Sequence, residues 1–146
     1  MSEQLEIYNQ YVIHGVDKYY ELYNSTYYNP HADKIKNIIN THLLNLIKKN
    51  NKILDIACGN GLITRIINNN NNIIIGCDPY FKNKYVNYNY SFEDIAKGLL
   101  NIKVDMAICC YAFHLLNKSW YYSFLNELAL ITNIFEVAYL KSTCRF

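Results

Sequence analysis

The feature that most constrains the fold of this chain is an apolar run that ends in a turn with two glycines. Residues 52–57 read Lys-Ile-Leu-Asp-Ile-Ala, residues 58–61 read Cys-Gly-Asn-Gly, and positions 62, 63, 66 and 67 are again apolar. This order predicts a strand, a tight turn and a helix. Glycine reaches positive φ at low cost, and N–H groups at a helix start face whatever binds there. The pattern therefore predicts a ligand site built on main-chain atoms.

An acid at the end of the predicted strand distinguishes this turn from a plain phosphate-binding loop. Asp55 precedes the glycines by a few residues, where its negative charge favours a cationic or amine-bearing ligand. A second apolar run, residues 73–77, ends in another acid, Asp78, which is followed by Pro79. A carboxylate at such a position can accept two hydrogen bonds at once.

Residues 54–61, Leu-Asp-Ile-Ala-Cys-Gly-Asn-Gly, resemble the first motif of class I S-adenosylmethionine-dependent methyltransferases, and residues 73–78 resemble the family's second strand. The resemblance implies an α/β fold: a Rossmann-like, doubly wound, mostly parallel sheet of about five strands in the order 3-2-1-4-5. The third, fourth and fifth strands are predicted within residues 86–90, 104–116 and 134–140. The family's usual strands six and seven have no counterpart before the sequence given stops at residue 146.

The resemblance also implies roles for single residues. Gly59 and Gly61 would give main-chain access to the methionine part of S-adenosylmethionine, Asp55 would steady its ammonium group, and Asp78 would hold the ribose. The remaining positions implied for the cofactor are Ala57, Pro79, Phe92 and Cys110. His114 follows the fourth strand and is the candidate catalytic base, since its pKa lies near physiological pH, although a histidine here can also simply close the pocket.

Around the third strand the sequence departs from the family pattern. Many relatives place an acid there for the adenine amino group, whereas this chain has Ser91, with Glu93 and Asp94 slightly later. One of these two acids could replace the family's acid. Alternatively, both are acids in the first turn of a helix, where negative charge is favourable.

Residues 1–50 are predicted to form an N-terminal helical cap, and residues 51–146 a truncated Rossmann-like core, together making one structural domain. Asn29 suits a helix N-cap and Pro30 the first helical position, ahead of an apolar stripe that extends to Ile47. The tyrosine-rich residues 19–28 have two interpretations. They either pad a helix against the sheet or form a lid over the cofactor.

Composition excludes several classes of protein. A net charge of +2 is too small to indicate nucleic-acid binding, and five cysteines without C-x-x-C spacing beside four scattered histidines argue against a zinc site. The lack of a signal peptide or a long apolar run leads us to expect a cytoplasmic protein.

The favoured function is methyl transfer to an unidentified acceptor. A small molecule, a protein and RNA all remain open as acceptors, and a small molecule is favoured because the sequence has no basic stripe. The alternative is a catalytically inactive or truncated relative that binds the cofactor or a partner. A nicotinamide-dinucleotide domain is disfavoured, because Thr64 stands where that fingerprint needs a third glycine. The sheet edge beside the fifth strand would be open, and the expected partner along it is a second copy of the chain.

Overall fold

The computed structural model describes residues 3–23, 25–67 and 71–138, and a four-stranded parallel sheet lies at its centre. The strands are β1 (Lys52–Ile56), β2 (Ile73–Cys77), β3 (Met106–Cys110) and β4 (Phe135–Ala138). They pair in the order β2-β1-β3-β4. The register sets Asp55 of β1 between Gly76 on one side and Ile108 on the other.

The prediction of five strands in the order 3-2-1-4-5 was wrong, because residues 86–90 make only one isolated bridge, between Tyr88 and Cys77. The Asn87 side chain accepts the Gly76 N–H at 2.9 Å, and both the Asn87 and Tyr88 N–H groups donate to the Gly76 carbonyl. A side-chain oxygen thus takes the place of a strand partner, and the ladder does not continue.

Among the described residues, six helices flank the strands. They are α1 (Glu3–His14), α2 (Val16–Tyr23), α3 (Ala32–Ile38), α4 (Leu62–Ile67), α5 (Phe92–Ala96) and α6 (Tyr121–Ile131). A π-helical turn, Ile39–Leu43, extends α3, and 3-10 turns occur at Phe113–Leu115 and Lys118–Trp120. The helix expected to begin after Asn29 begins later, because the Asn29 side chain accepts the N–H of His31 and closes a turn first.

The two faces of the sheet have separate hydrophobic cores, as expected for a doubly wound fold. One face packs against α3, its π-helical extension and α4 through Ile53, Met106 and Ile108. The other packs against α5 and α6 through residues that include Leu54 and Ala107. This alternation follows from the two-residue period of a strand.

The N-terminal tyrosines belong to a third cluster, away from both sheet faces. Tyr19 and Tyr20 are buried with Phe81 of the turn after β2, and the Tyr11 and Tyr20 hydroxyls lie 2.6 Å apart. The tyrosines therefore do not pad a helix against the sheet.

Within the described ranges, none of the helices has the length and apolar character needed to span a lipid bilayer.

β4 forms one end of the strand order. The predicted fifth strand extends to residue 140, and residues 139–146 lie outside the described part of the chain. Pairing with a second copy along this edge therefore stays a prediction.

Candidate ligand-binding site

A cavity of about 990 Å³ lies at the carboxyl ends of the strands. Its walls come from the residues after β1, β2 and β3 and from α1, α2 and the segment before α3. The connection through α4 covers one face of the sheet and that through α5 the other, so β1 and β3 flank the topological switch point, where open α/β sheets bind ligands. The volume is near the upper end of the roughly 300–1,000 Å³ typical of small-molecule sites.

Two residues with left-handed backbone stand at this switch point. Ala57 follows β1 with a φ of 58°, and Tyr111 follows β3 with the same φ of 58°. For residues such as alanine and tyrosine, this left-handed conformation costs about 1–2 kcal/mol. Strain of this kind clusters at functional sites, and both residues line the cavity.

Asp55 is fully buried beneath the cavity floor. Its exposed fraction is 0%, and neither carboxylate oxygen has a hydrogen-bond partner among the described residues. Its charge acts on Cys58 and Cys110, both of which line the cavity. Burial raises the pKa of Asp55 well above its ordinary value, and the neighbouring Asp78 adds to the rise. A buried, unpartnered carboxyl group of this kind needs an explanation, and a donor group on a ligand would supply one.

Asp78 is also buried, with an exposed fraction of 4%, but its oxygens are occupied by main-chain donors. One oxygen accepts the Gly59 N–H at 3.0 Å, and the other accepts the N–H groups of Tyr80 at 2.9 Å and Phe81 at 3.2 Å. Burial raises the pKa of Asp78, and these hydrogen bonds oppose the rise. A carboxylate offers about four acceptor positions, so about one is left for a ligand.

Replacing Asp78 with asparagine tests this role as a clamp on the glycine turn. We expect the free energy of unfolding to fall by about 1–3 kcal/mol, because either orientation of the amide turns an NH₂ group toward a main-chain N–H group. Chemical denaturation measures the loss, and the Gly59 amide resonance should shift. Asp94→Asn is the comparison, since its carboxylate accepts a single main-chain N–H at the start of α5. Equal losses in the two variants would refute the clamp.

The two glycines of the turn have different surroundings. A Cβ at Gly59 would meet nothing closer than the Phe81 ring at 4.0 Å, so its main chain faces open space in the cavity wall. A Cβ at Gly61 would lie 2.2 Å from the Tyr85 ring. Gly61 is therefore required for packing against Tyr85 and does not line the cavity.

The start of α5 has a mainly structural arrangement. Ser91 and Asp94 form a capping box, in which Ser91 accepts the Asp94 N–H at 3.1 Å and Asp94 accepts the Ser91 N–H at 2.9 Å. Phe92 lines the cavity and packs edge-on against Phe124 at 5.5 Å between ring centroids. Glu93 also lines the cavity, whereas Asp94 does not.

The exit of β3 brings two histidines together. His114 lies on the cavity wall, and the partial burial of its imidazole lowers its pKa although part of the residue is exposed. His31, just before α3, stacks on Tyr111 with 4.7 Å between ring centroids and 18° between planes. Burial lowers the pKa of His31, and charges on Lys34 and His114 lower it further. His31 was not among the residues predicted for the site. Its place beside Asn29 and Pro30, ahead of the clearest predicted helix, was the available signal.

Seven of the nine residues expected at the site line the cavity: Ala57, Gly59, Asp78, Pro79, Phe92, Cys110 and His114. Asp55 lies beneath the floor and Gly61 behind the turn. Four tyrosines of the N-terminal segment also line the cavity, as expected if this segment covers the site: Tyr8, Tyr11, Tyr20 and Tyr27. Across the described ranges, no three His, Cys, Asp or Glu side chains are grouped to hold a metal ion.

Comparison with solved structures finds similarity in fold at low sequence identity. A cyclopropane-fatty-acyl-phospholipid synthase-like protein from Lactobacillus casei ATCC 334 matches with a TM-score of 0.54 and 12% identity, over 70% of this chain and 46% of that one. TehB from Haemophilus influenzae matches with a TM-score of 0.48 and 18% identity, over 80% of this chain and 41% of that one. The chain thus spans less than half the length of either protein.

No protein-family model matches the sequence. No curated protein matches it either. The first of the two structural matches shows a shared fold, which is the Rossmann-like α/β arrangement with a mostly parallel sheet.

Proposed function

We propose that this chain binds S-adenosylmethionine and transfers its methyl group to a small-molecule acceptor. The observation that carries the proposal is Asp55, a fully buried carboxyl group without a partner, beneath a large cavity at the switch point of the sheet. The charge of this carboxyl would attract a ligand ammonium group in the cavity above it. If the turn that covers Asp55 moved aside, the ammonium group, directly or through a water molecule, would give this carboxyl the donors that it lacks.

The other residues around the cavity fit the same ligand. The exposed main chain at Ala57 and Gly59 would hold the amino-acid end, and Asp78, which fixes the Gly59 N–H, keeps about one acceptor position for a ribose hydroxyl. Glu93 and Phe92 line the wall after the bridge at Tyr88 and would bind the base. When bound, S-adenosylmethionine supplies an activated methyl group on a sulfonium, which is already a good leaving group.

The protein's own contribution is then mainly positioning. Aromatic side chains line much of the cavity, and holding the reactants in the right orientation can lower the barrier by about 7–11 kcal/mol. His114 on the wall has a lowered pKa, which keeps its imidazole neutral at physiological pH and able to take a proton.

Two measurements test the proposal separately. Calorimetry with S-adenosylmethionine tests binding, with adenosine triphosphate as a control that shares the nucleoside but carries negative charge. Transfer of a labelled methyl group into a metabolite extract tests catalysis. Binding with no transfer would support the alternative of an inactive cofactor-binding protein, and no binding would reject both.

His114→Gln should separate the chemistry from the binding. Because a general base contributes typically 10²–10⁴-fold to a rate, we expect kcat to fall by about that factor. The Kd for S-adenosylmethionine, measured by calorimetry, should stay within about twofold. If kcat were unchanged, His114 would be part of the wall and not the base.

A further inference from the structure

The charge of the cavity wall restricts what else can bind there. The chain has 14 Lys and Arg residues, but none occurs among the described residues that line the cavity. Among the described residues, the basic side chains on the cavity wall are His31 and His114, and burial lowers the pKa of both. Lys34, which also acts on His31, is exposed on α3 and is not part of the wall.

Carboxylates, by contrast, are present on the wall and beneath it. Asp17, Asp78 and Glu93 line the cavity, and Asp55 lies below its floor. All three wall carboxylates act on one phenol: burial raises the pKa of Tyr80, and so do its hydrogen bond to Asp17 and the charges of Asp17, Asp78 and Glu93. A ligand with a carboxylate or phosphate would be desolvated here with no Lys or Arg side chain among the described wall residues to pair with it, which is costly.

The exit of β3 provides flat and neutral surfaces. His31 and Tyr111 stack nearly in parallel, with 18° between their planes, and His114 is close enough to His31 for its charge to act there. Tyr111 is held in this position by a left-handed backbone, with a φ of 58°. Two imidazoles beside an aromatic ring can contact a planar molecule and accept a hydrogen bond from it.

We propose that the methyl acceptor is an uncharged, planar ring compound with an O–H or N–H group, and that it binds against His31, Tyr111 and His114. This inference rests on the proposed methyl transfer. The acceptor oxygen or nitrogen forms a bond to the methyl carbon, the sulfonium sulfur keeps the electron pair of the broken C–S bond, and an imidazole nitrogen takes the proton. An ammonium group has no free electron pair to form that bond.

Two probes of one ring each test the charge preference: catechol and benzoate. Proton NMR of the imidazole resonances measures binding to the full chain, with and without S-adenosylhomocysteine. We expect catechol to bind at least tenfold more tightly than benzoate and to shift the resonances of both His31 and His114. Tighter binding of benzoate, or no binding of either probe, would overturn the inference.

His31→Arg should reverse the preference, because arginine keeps a planar group that stacks on Tyr111 and adds a positive charge. We expect at least a tenfold gain in benzoate affinity. His42→Arg is the matched control, since His42 is exposed and lies outside the cavity wall, and it should produce no gain. A gain in both variants would show that net charge alone decides, which contradicts the inference.

Calorimetry with S-adenosylmethionine separates this inference from the proposed function. Failure of the cofactor to bind rejects the methyltransferase, whereas a wrong order among the probes rejects only the class of acceptor. If Lys34→Gln abolished benzoate binding to an otherwise unaltered chain, Lys34 would supply a countercharge, and the acceptor could be an anion after all.

Discussion

Replacing Asp55 with asparagine is expected to stabilise the protein and to weaken S-adenosylmethionine binding. The buried carboxyl has no partner and a raised pKa, so its ionised form destabilises the fold. Removing an unpartnered buried charge should raise the free energy of unfolding by about 1–3 kcal/mol near neutral pH. The same change should weaken the binding of S-adenosylmethionine at least tenfold, since an amide does not attract an ammonium group as a carboxylate does. Denaturant titration and calorimetry measure the two effects.

The pH dependence of Asp55→Asn gives an independent check. A folded-state pKa above the unfolded value means that the native state holds more protons, so wild-type stability falls as pH rises from about 4 toward the raised pKa. Asp78 contributes in the same direction in both proteins, and because its charge also raises the pKa of Asp55, it adds to the difference between them. The advantage of the asparagine variant should therefore be small near pH 4 and grow with pH. A constant difference would show that the pKa of Asp55 is the same in the folded and unfolded states.

Asp105→Asn is the control for ligand binding. Asp105 is an exposed acid just before β3, where it accepts the Lys52 N–H at 2.7 Å at the opposite end of the strands from the cavity. Its replacement should leave S-adenosylmethionine affinity unchanged. If both variants lost affinity equally, the effect would belong to the overall charge and not to the site.

Gly76→Ala should be the most destabilising single substitution in the sheet. A Cβ at this position would lie 1.9 Å from the Tyr85 carbonyl oxygen and 2.8 Å from the Cys58 sulfur. The nearest neighbour is main chain, which cannot rotate away, so we expect a loss of about 3 kcal/mol or more. Thermal and denaturant unfolding measure it. Cofactor affinity should fall as well, because the displaced segment follows Asp78 and forms the wall.

Gly15→Ala is the matched control for that experiment. Gly15 has a φ of +78°, but an added Cβ would meet nothing within 4 Å. Only the backbone penalty remains, which is about 1–2 kcal/mol. Losses of the same size in Gly15→Ala and Gly76→Ala would show that the close approach of Tyr85 does not constrain the sheet.

The local signals in the sequence were strong where consecutive residues decide the structure. The strand over residues 52–56, the turn after it and the helix at Leu62 were predicted from neighbouring residues alone, and they are present. The two acids and the turn between them are brought to one cavity, because adjacent parallel strands end at the same edge. Local backbone preference and apolar spacing suffice for such elements.

The sequence was misleading where side chains compete with the backbone. The predicted third strand is absent because Asn87 hydrogen-bonds to Gly76, and the helix after Asn29 begins late because Asn29 closes a turn. Residue type alone does not show whether an asparagine will bond to solvent or to the main chain.

The sequence by itself determined the strand at residues 52–56, the turn after it with its two glycines, the helix at Leu62 and the acids that end the first two apolar runs. Only the tertiary structure decided that Asp55 is left without a partner, that Asp78 is occupied by the turn, that Gly61 and Gly76 make room for Tyr85, and that His31 meets Tyr111. These four facts join residues far apart in the chain. They depend on how the helices and loops pack over the sheet, which no periodicity within one segment records.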